Sequence, residues 1–123
     1  MSIYTIKVGN FYLKSEDGEI SLSNKIKKIT KDNLFYIFKN RVSNISDENL
    51  YIRRDKVLGL KNKVSIQKIK FRIIGKRRGF NIYNLIYDGK YIQLDRFKNL
   101  ICDEFHPLSN IKFIIKKINI SEI

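Results

Sequence analysis

Apolar positions along this chain come in short runs with a two-residue rhythm, broken by polar turns, and the pattern predicts strands almost from end to end. Residues 3–8 (IYTIKV) are β-branched and aromatic with partial alternation. Residues 11–14 and 19–22 flank the turn SEDG, an acidic-glycine turn between apolar runs that signals a hairpin. A run at 35–38 (FYIF) follows, then a second hairpin from 50–53 and 57–60. Residues 71–74 (FRII) and 80–85 (FNIYNL) stand on either side of Gly75-Lys76-Arg77-Arg78-Gly79. A third hairpin is expected from 91–94 and 99–102, and a last strand at 113–116. Only residues 23–33 (SNKIKKITKDN) admit helix. Ile26 and Ile29 lie three apart there, but the segment is short and β-branched, so it reads as a loop or a single helical turn. No linker rich in Pro, Gly or Ser divides the chain, which reads as one domain over residues 1–123.

The hairpins repeat. NFYLKSEDGEISL at 10–22, NLYIRRDKVLGL at 49–60 and GKYIQLDRFKNLI at 89–101 each carry an aromatic-aliphatic pair, a charged turn and a second apolar pair. Their tyrosines, Tyr12, Tyr51 and Tyr91, recur at steps of 39 and 40 residues. A constant step of this size marks one supersecondary unit used three times. An F-x-I motif follows each hairpin (Phe35 and Ile37, Phe71 and Ile73, Phe113 and Ile115), at 23, 20 and 22 residues from the hairpin tyrosine. Each unit is therefore strand, hairpin, loop and strand, and three units make twelve strands.

This layout resembles the β-trefoil superfamily over the whole chain, with GKYIQLD and NFYLKSEDGEISL most like fascin-type and ricin-B-type repeats. The resemblance implies an all-β fold in which six strands form a short closed barrel and three hairpins cap one end. The repeats would cover approximately 1–38, 39–75 and 76–118. Closing the barrel removes edges that short strands would otherwise expose. On this view the recurring Tyr, Phe and Ile residues are core and carry no chemistry. Lectin members of the superfamily carry a Q-x-W motif in the fourth strand. Here Trp is absent, and the positions two before Phe35, Phe71 and Phe113 are Asn33, Ile69 and Ile111. A carbohydrate-binding, lectin-like role is thus an alternative without a residue-level pocket.

Composition changes the picture mainly through charge. With 25 Lys and Arg against 12 Asp and Glu, the net charge is +13, so the surface attracts polyanions and acidic proteins. Ile, Lys and Asn are abundant and Ala is missing, a bias that AT-rich coding also produces, so part of the charge follows base composition. Cys102 is the single cysteine, which excludes an internal disulfide and a cysteine metal cluster and suits a reducing compartment. The first residues, MSIYTIKVGNFYL, lack the basic-then-apolar order of a signal peptide, and no apolar run approaches membrane-spanning length. The expectation is a soluble, cytoplasmic protein without a membrane partner.

Catalysis finds little support. His106 is the only histidine and lies four residues from Cys102, too far along an extended chain for a thiol–imidazole pair. The carboxylates Glu16, Asp17, Asp55, Asp88 and Asp95 fall in turns, where short acidic side chains bond nearby backbone. The Gly75–Gly79 spacing lacks the G-K-[ST] ending of a phosphate loop, and no metal-ligand cluster is visible. The chain reads as a non-enzyme without cofactor or metal.

The basic residues carry the functional expectation. In a trefoil, the turns joining successive repeats lie at the barrel end opposite the cap. Those turns hold Lys39, Arg41, Lys76, Arg77 and Arg78, with Lys116 and Lys117 expected near the same end. Gly75 and Gly79 would let the 76–78 tip turn tightly. A second cluster comprises Lys25, Lys27, Lys28 and Lys31 in repeat 1 and Lys61, Lys63, Lys68 and Lys70 in repeat 2, whereas repeat 3 has Asp103 and Glu104 in the matching loop. Phe80 and Tyr83, beside the tip, are expected to point into the barrel. The sequence thus predicts a monomeric binding module that docks through a basic surface onto an acidic protein, nucleoprotein, nucleic acid or other polyanion. Its size and base composition also fit a viral or mobile-element inhibitor of a host factor.

Overall fold

The computed structural model of the protein describes residues 2–24, 28–62 and 67–119. Twelve strands follow one another in the described chain: β1 (Ile3–Val8), β2 (Phe11–Glu16), β3 (Glu19–Ser23), β4 (Phe35–Phe38), β5 (Arg41–Asn44), β6 (Asn49–Ile52), β7 (Leu58–Lys61), β8 (Lys70–Arg77), β9 (Phe80–Tyr87), β10 (Lys90–Leu94), β11 (Leu100–Asp103) and β12 (Phe113–Ile118). A 3-10 turn at Lys31–Asn33 is the only helical piece among the described residues, in the segment where the sequence admits one.

Turn chemistry explains why the strands break where they do. Two-residue loops join β2 to β3, β4 to β5, β8 to β9 and β9 to β10. Their central residues, Asp17-Gly18, Lys39-Asn40, Arg78-Gly79 and Asp88-Gly89, all have positive φ. That is the left-handed pair that lets a two-residue turn match strand twist, and Gly and Asn supply it at least cost. The turn after β10 works differently: Asp95 Oδ1 accepts hydrogen bonds from the backbone N–H of Phe97 (2.9 Å) and Asn99 (2.8 Å).

Pairing closes the chain on itself. Strands β1, β2, β3, β7, β6, β5 and β4 form an antiparallel ring of seven, closed by the contact of β1 with β4. From β1 the sheet continues through β12 to β9, which also pairs with β8 and β10, and β10 pairs with β11. Strand β1 and strand β12, from opposite ends of the chain, share the longest ladder outside the hairpins, Ile3↔Ile118 to Val8↔Phe113. The hairpin β10–β11 reaches back to the second hairpin through a bridge from Val57 to Ile101 and the Cys102 N–H to Lys56 carbonyl bond (2.9 Å).

One core results. Ile6, Val8, Leu13, Phe35, Val42, Leu50, Leu58, Ile69, Leu85, Ile92 and Phe113 belong to a single buried cluster. Phe35, Ile69 and Phe113 are each 0% exposed, whereas Phe71 is only half-buried, with its ring edge on Tyr83 at 6.2 Å. The second copy of the F-x-I motif is therefore out of frame by two residues: Ile69, not Phe71, holds the core position of Phe35 and Phe113. The shift places Gln67 two residues before the core position, where Asn33 stands before Phe35. Both amides clamp a hairpin strand. Asn33 Nδ2 donates to the Leu13 carbonyl (3.4 Å), while Gln67 accepts from Ile52 N–H (2.6 Å) and donates to Ile52 C=O (3.4 Å).

The strand β5 is absent from the apolar pattern because only Val42 of RVSN is apolar. Ser43 and Asn44 are nonetheless buried, and Asn44 exchanges hydrogen bonds with Glu48: its Nδ2 donates to Glu48 Oε1 and its Oδ1 accepts the Glu48 N–H, both at 2.8 Å. Strand β8 begins at a backbone bond from Ile69 N–H to Asn40 C=O (2.8 Å) and then runs on with β9 as its sole strand partner among the described residues.

Candidate functional site

Residues that face each other in an antiparallel ladder project to the same side of the sheet. Following the register outward from β1 assembles a surface the sequence could not display. Gly75 faces Ile82, Ile82 faces Ile114, Ile114 faces Lys7 and Lys7 faces Tyr12, a row across five strands from β8 to β2. In the next row Arg77 faces Phe80 and Lys116 faces Thr5, and the Lys116 Nζ lies 5.6 Å from the Phe80 ring centroid, joining the two pairs. Of these, Thr5, Lys7, Tyr12, Arg77, Phe80, Ile114 and Lys116 line an open groove of about 330 Å³ on one face of the sheet, together with Arg78, Gly9 and Asn10.

The groove is basic and aromatic. Lys7, Arg77, Arg78 and Lys116 bring four cations, and Tyr12 and Phe80 bring two rings. Lys7 Nζ rests over the Tyr12 ring at 5.6 Å, so both lysines lie on aromatic faces. The ion pairs of the described residues are Lys14–Glu16, Arg53–Glu19 and Lys56–Asp103, and none involves a groove cation. Thr5, buried, forms the floor. Phe80 is 41% exposed, so the expectation that it points into the barrel is corrected. The turn at Arg78-Gly79 puts it on the outer side with Arg77.

The residues expected to form a rim divide accordingly. Arg77 and Arg78 join the groove. Lys76 faces Asn81, on the other side of the same ladder, because strand alternation separates neighbours. Gly75 lies within β8 at a bulge between Ile73 and Gly75, not in the turn, and its φ is not positive; Gly79 is the turn glycine, at φ +84°. Lys39 occupies the β4–β5 turn with its Nζ 5.4 Å from the Phe38 ring, and Arg41 faces Phe38 across that hairpin. Lys117 faces Tyr4, on the side opposite Lys116. Lys28 is exposed, and Lys25 and Lys27 lie outside the described residues. Of the expected residues, the groove gathers Arg77, Arg78 and Lys116. It adds Lys7, whose only signal was its alternation within β1, and Tyr12 and Phe80, which the repeat pattern had assigned to packing inside the barrel.

A second cleft lies beside β10–β11, also about 330 Å³, lined by Asp95, Arg96, Phe97, Asp103, Phe105 and His106 among others. Its loop is held by Gln93, 0% exposed, whose Nε2 donates to the carbonyls of Glu104 (2.9 Å), Asp103 (3.1 Å) and Tyr91 (3.3 Å) and whose Oε1 accepts the His106 N–H (3.2 Å). Two of its carboxylates, Asp95 and Asp103, are already engaged. Asp103 accepts its neighbour Glu104 N–H and the Lys56 ammonium (3.1 Å), and these hold its carboxyl below the usual carboxylate range.

Cys102 and His106 have separate partners. The Cys102 thiol is buried against the Tyr87 carbonyl (3.9 Å), while His106 Nδ1 accepts the Leu108 N–H (3.3 Å). Burial pushes the Cys102 thiol up, with Lys90 opposing the shift. A raised thiol has less thiolate at neutral pH than free cysteine, so Cys102 should react slowly with Ellman's reagent in the folded protein and at the ordinary rate in denaturant. Fast labelling under native conditions would contradict this placement. No group of three or more His, Cys, Asp or Glu side chains among the described residues is arranged to hold a metal ion. No described helix is long and apolar enough to cross a membrane. No protein-family model and no curated protein sequence matches the chain.

Proposed function

We propose that the chain is a non-catalytic binding module on a β-trefoil scaffold and that its basic outer groove docks onto an acidic macromolecule. The observation that carries the reading is the convergence of Lys7, Arg77, Arg78 and Lys116, from three separate stretches of chain, with no carboxylate among the described residues paired to any of them. Four cations gathered along one face focus positive potential where a polyanion can displace counterions. Support for the trefoil comes from the pairings β12–β1–β4–β5 and β8–β9–β12, with the bond from Ile69, just before β8, to Asn40, just before β5, and from the three hairpins β2–β3, β6–β7 and β10–β11.

Retention on heparin resin tests the function. The protein should bind at low salt and elute as salt rises. A variant with Arg77→Ala, Arg78→Ala and Lys116→Ala should elute well before the parent, and one with Lys39→Ala and Arg41→Ala should elute close to it. The opposite ranking would move the site to the barrel rim and overturn the groove. A carbohydrate-binding reading has one supporting feature, the cleft with Phe97 and Phe105 beside β10–β11. It is weaker because Asp95 and Asp103 already accept backbone N–H bonds from Phe97 and Glu104, and a glycan array without hits would remove it.

A further inference from the structure

The groove is more than a charged patch, and its apolar content narrows the partner. A surface built only to hold phosphates or sulfates needs cations. This one interleaves them with rings and an aliphatic: Tyr12 on one side of Lys7 and Ile114 on the other, Phe80 between Arg77 and Lys116. Five strands at roughly 4.8 Å spacing give the wall a width of about 19 Å from β8 to β2. From these we infer that the groove binds single-stranded nucleic acid, its cations taking phosphates and its rings taking bases. The inference rests on the polyanion reading above and names the ligand of the same site.

The chemistry of each pair suits this ligand over other polyanions. In the free protein the ammonium groups of Lys7 and Lys116 lie over the Tyr12 and Phe80 rings. A phosphate draws the ammonium off the ring, and a base then takes the vacated face, so the two contacts form together. Duplex DNA presents its phosphates outward and its bases stacked inside, so it would engage the cations and leave the rings unused. Heparin and an acidic peptide have no aromatic face to offer. Asn10, exposed at the groove, adds an amide that can hydrogen-bond a base edge without demanding one sequence. The width corresponds to a short site, on the order of four nucleotides, at the lower end of single-strand sites.

Fluorescence anisotropy on the full chain, with labelled oligothymidine, the duplex of equal length, heparin and a poly-glutamate peptide as competitors, tests the inference. Oligothymidine should bind more tightly than the duplex, with log affinity falling by about 0.7 per phosphate contact against log salt. Phe80→Ala should weaken oligothymidine about five- to a hundredfold, the range of one lost stacking contact. It should leave heparin affinity unchanged, and Phe80→Trp should restore the loss. Phe80 is partly exposed, so the variant should fold, which circular dichroism checks. If Phe80→Ala and Tyr12→Ala leave oligothymidine binding intact while Arg77→Ala with Arg78→Ala abolishes it, or if the duplex, heparin or peptide binds more tightly, the single-strand inference is wrong and the broader reading stands. If none of the four ligands binds at low salt, both fall.

Discussion

Replacing Phe113 with alanine should lower folding stability by about 3–5 kcal/mol, the range for removing a wholly buried aromatic ring. Phe113 is 0% exposed and belongs to the one core cluster, between the β1 ladder and β9. A domain of this size holds about 5–15 kcal/mol in total, so the variant should sit near the limit of folding, with a melting temperature lower by about 10 °C or more. Phe97→Ala is the control: the side chain is 69% exposed, and its loss should fall within about 0.5 kcal/mol. Urea denaturation of both variants decides, and equal losses would mean that the core is elsewhere. The same assay tests the frame of the second repeat. Ile69→Ala should cost about 2–5 kcal/mol and more than Phe71→Ala, because Ile69 is 0% exposed and Phe71 keeps solvent on one side. The reverse order would restore the sequence-level alignment of Phe71 with Phe35 and Phe113.

The slip at Ile69 shows where the sequence is legible and where it is not. Hairpins announced by Asp17-Gly18 and by the polar turns after Ile52 and Leu94 could be read directly, because turn type is a local property. Frame across the loop before Ile69 is not local. A half-buried Phe71 that packs edge-on against Tyr83 looks, in sequence, like a buried one. Strand β5 was hidden for a related reason: Ser43 and Asn44 satisfy themselves by hydrogen bonds and so can be buried without being apolar.

The groove was less legible than the fold. Counting basic residues in Gly75-Lys76-Arg77-Arg78-Gly79 puts the three cations together, but a strand divides neighbours between two faces, and a bulge at Ile73/Gly75 changes which face each one takes. Lys7 and Lys116 join Arg77 only because β1 pairs with β12 and β12 with β9, contacts between the first and last parts of the chain. Charge composition marks the chain as basic, and long-range register sets which cations lie together.

Replacing Gln93 with leucine should cost about 2–4 kcal/mol, a large effect for a polar residue, because the amide ties β10 to the 103–106 backbone through both its ends. Leucine fills nearly the same volume but, besides the Tyr91 carbonyl within β10, leaves three groups of the loop, the Asp103 and Glu104 carbonyls and the His106 N–H, without this partner. Some of these groups can turn to water, since Glu104 and His106 are exposed, which holds the cost below the sum for three stranded groups. Loss should be concentrated in the loop: hydrogen exchange of the His106 amide should accelerate far more than exchange in β1 or β12. Gln93→Glu separates hydrogen bonding from packing. Its carboxylate faces carbonyl oxygens and cannot donate, so burial should raise the folded-state pKa of the introduced carboxyl above its unfolded value. The sign then follows: the protonated acid donates one bond, and stability is retained below the unfolded pKa and lost as pH rises through the folded one. Denaturation curves of Gln93→Glu should approach those of the parent as pH falls toward the carboxylate range. A pH-independent gap would mean that Gln93 acts by shape alone.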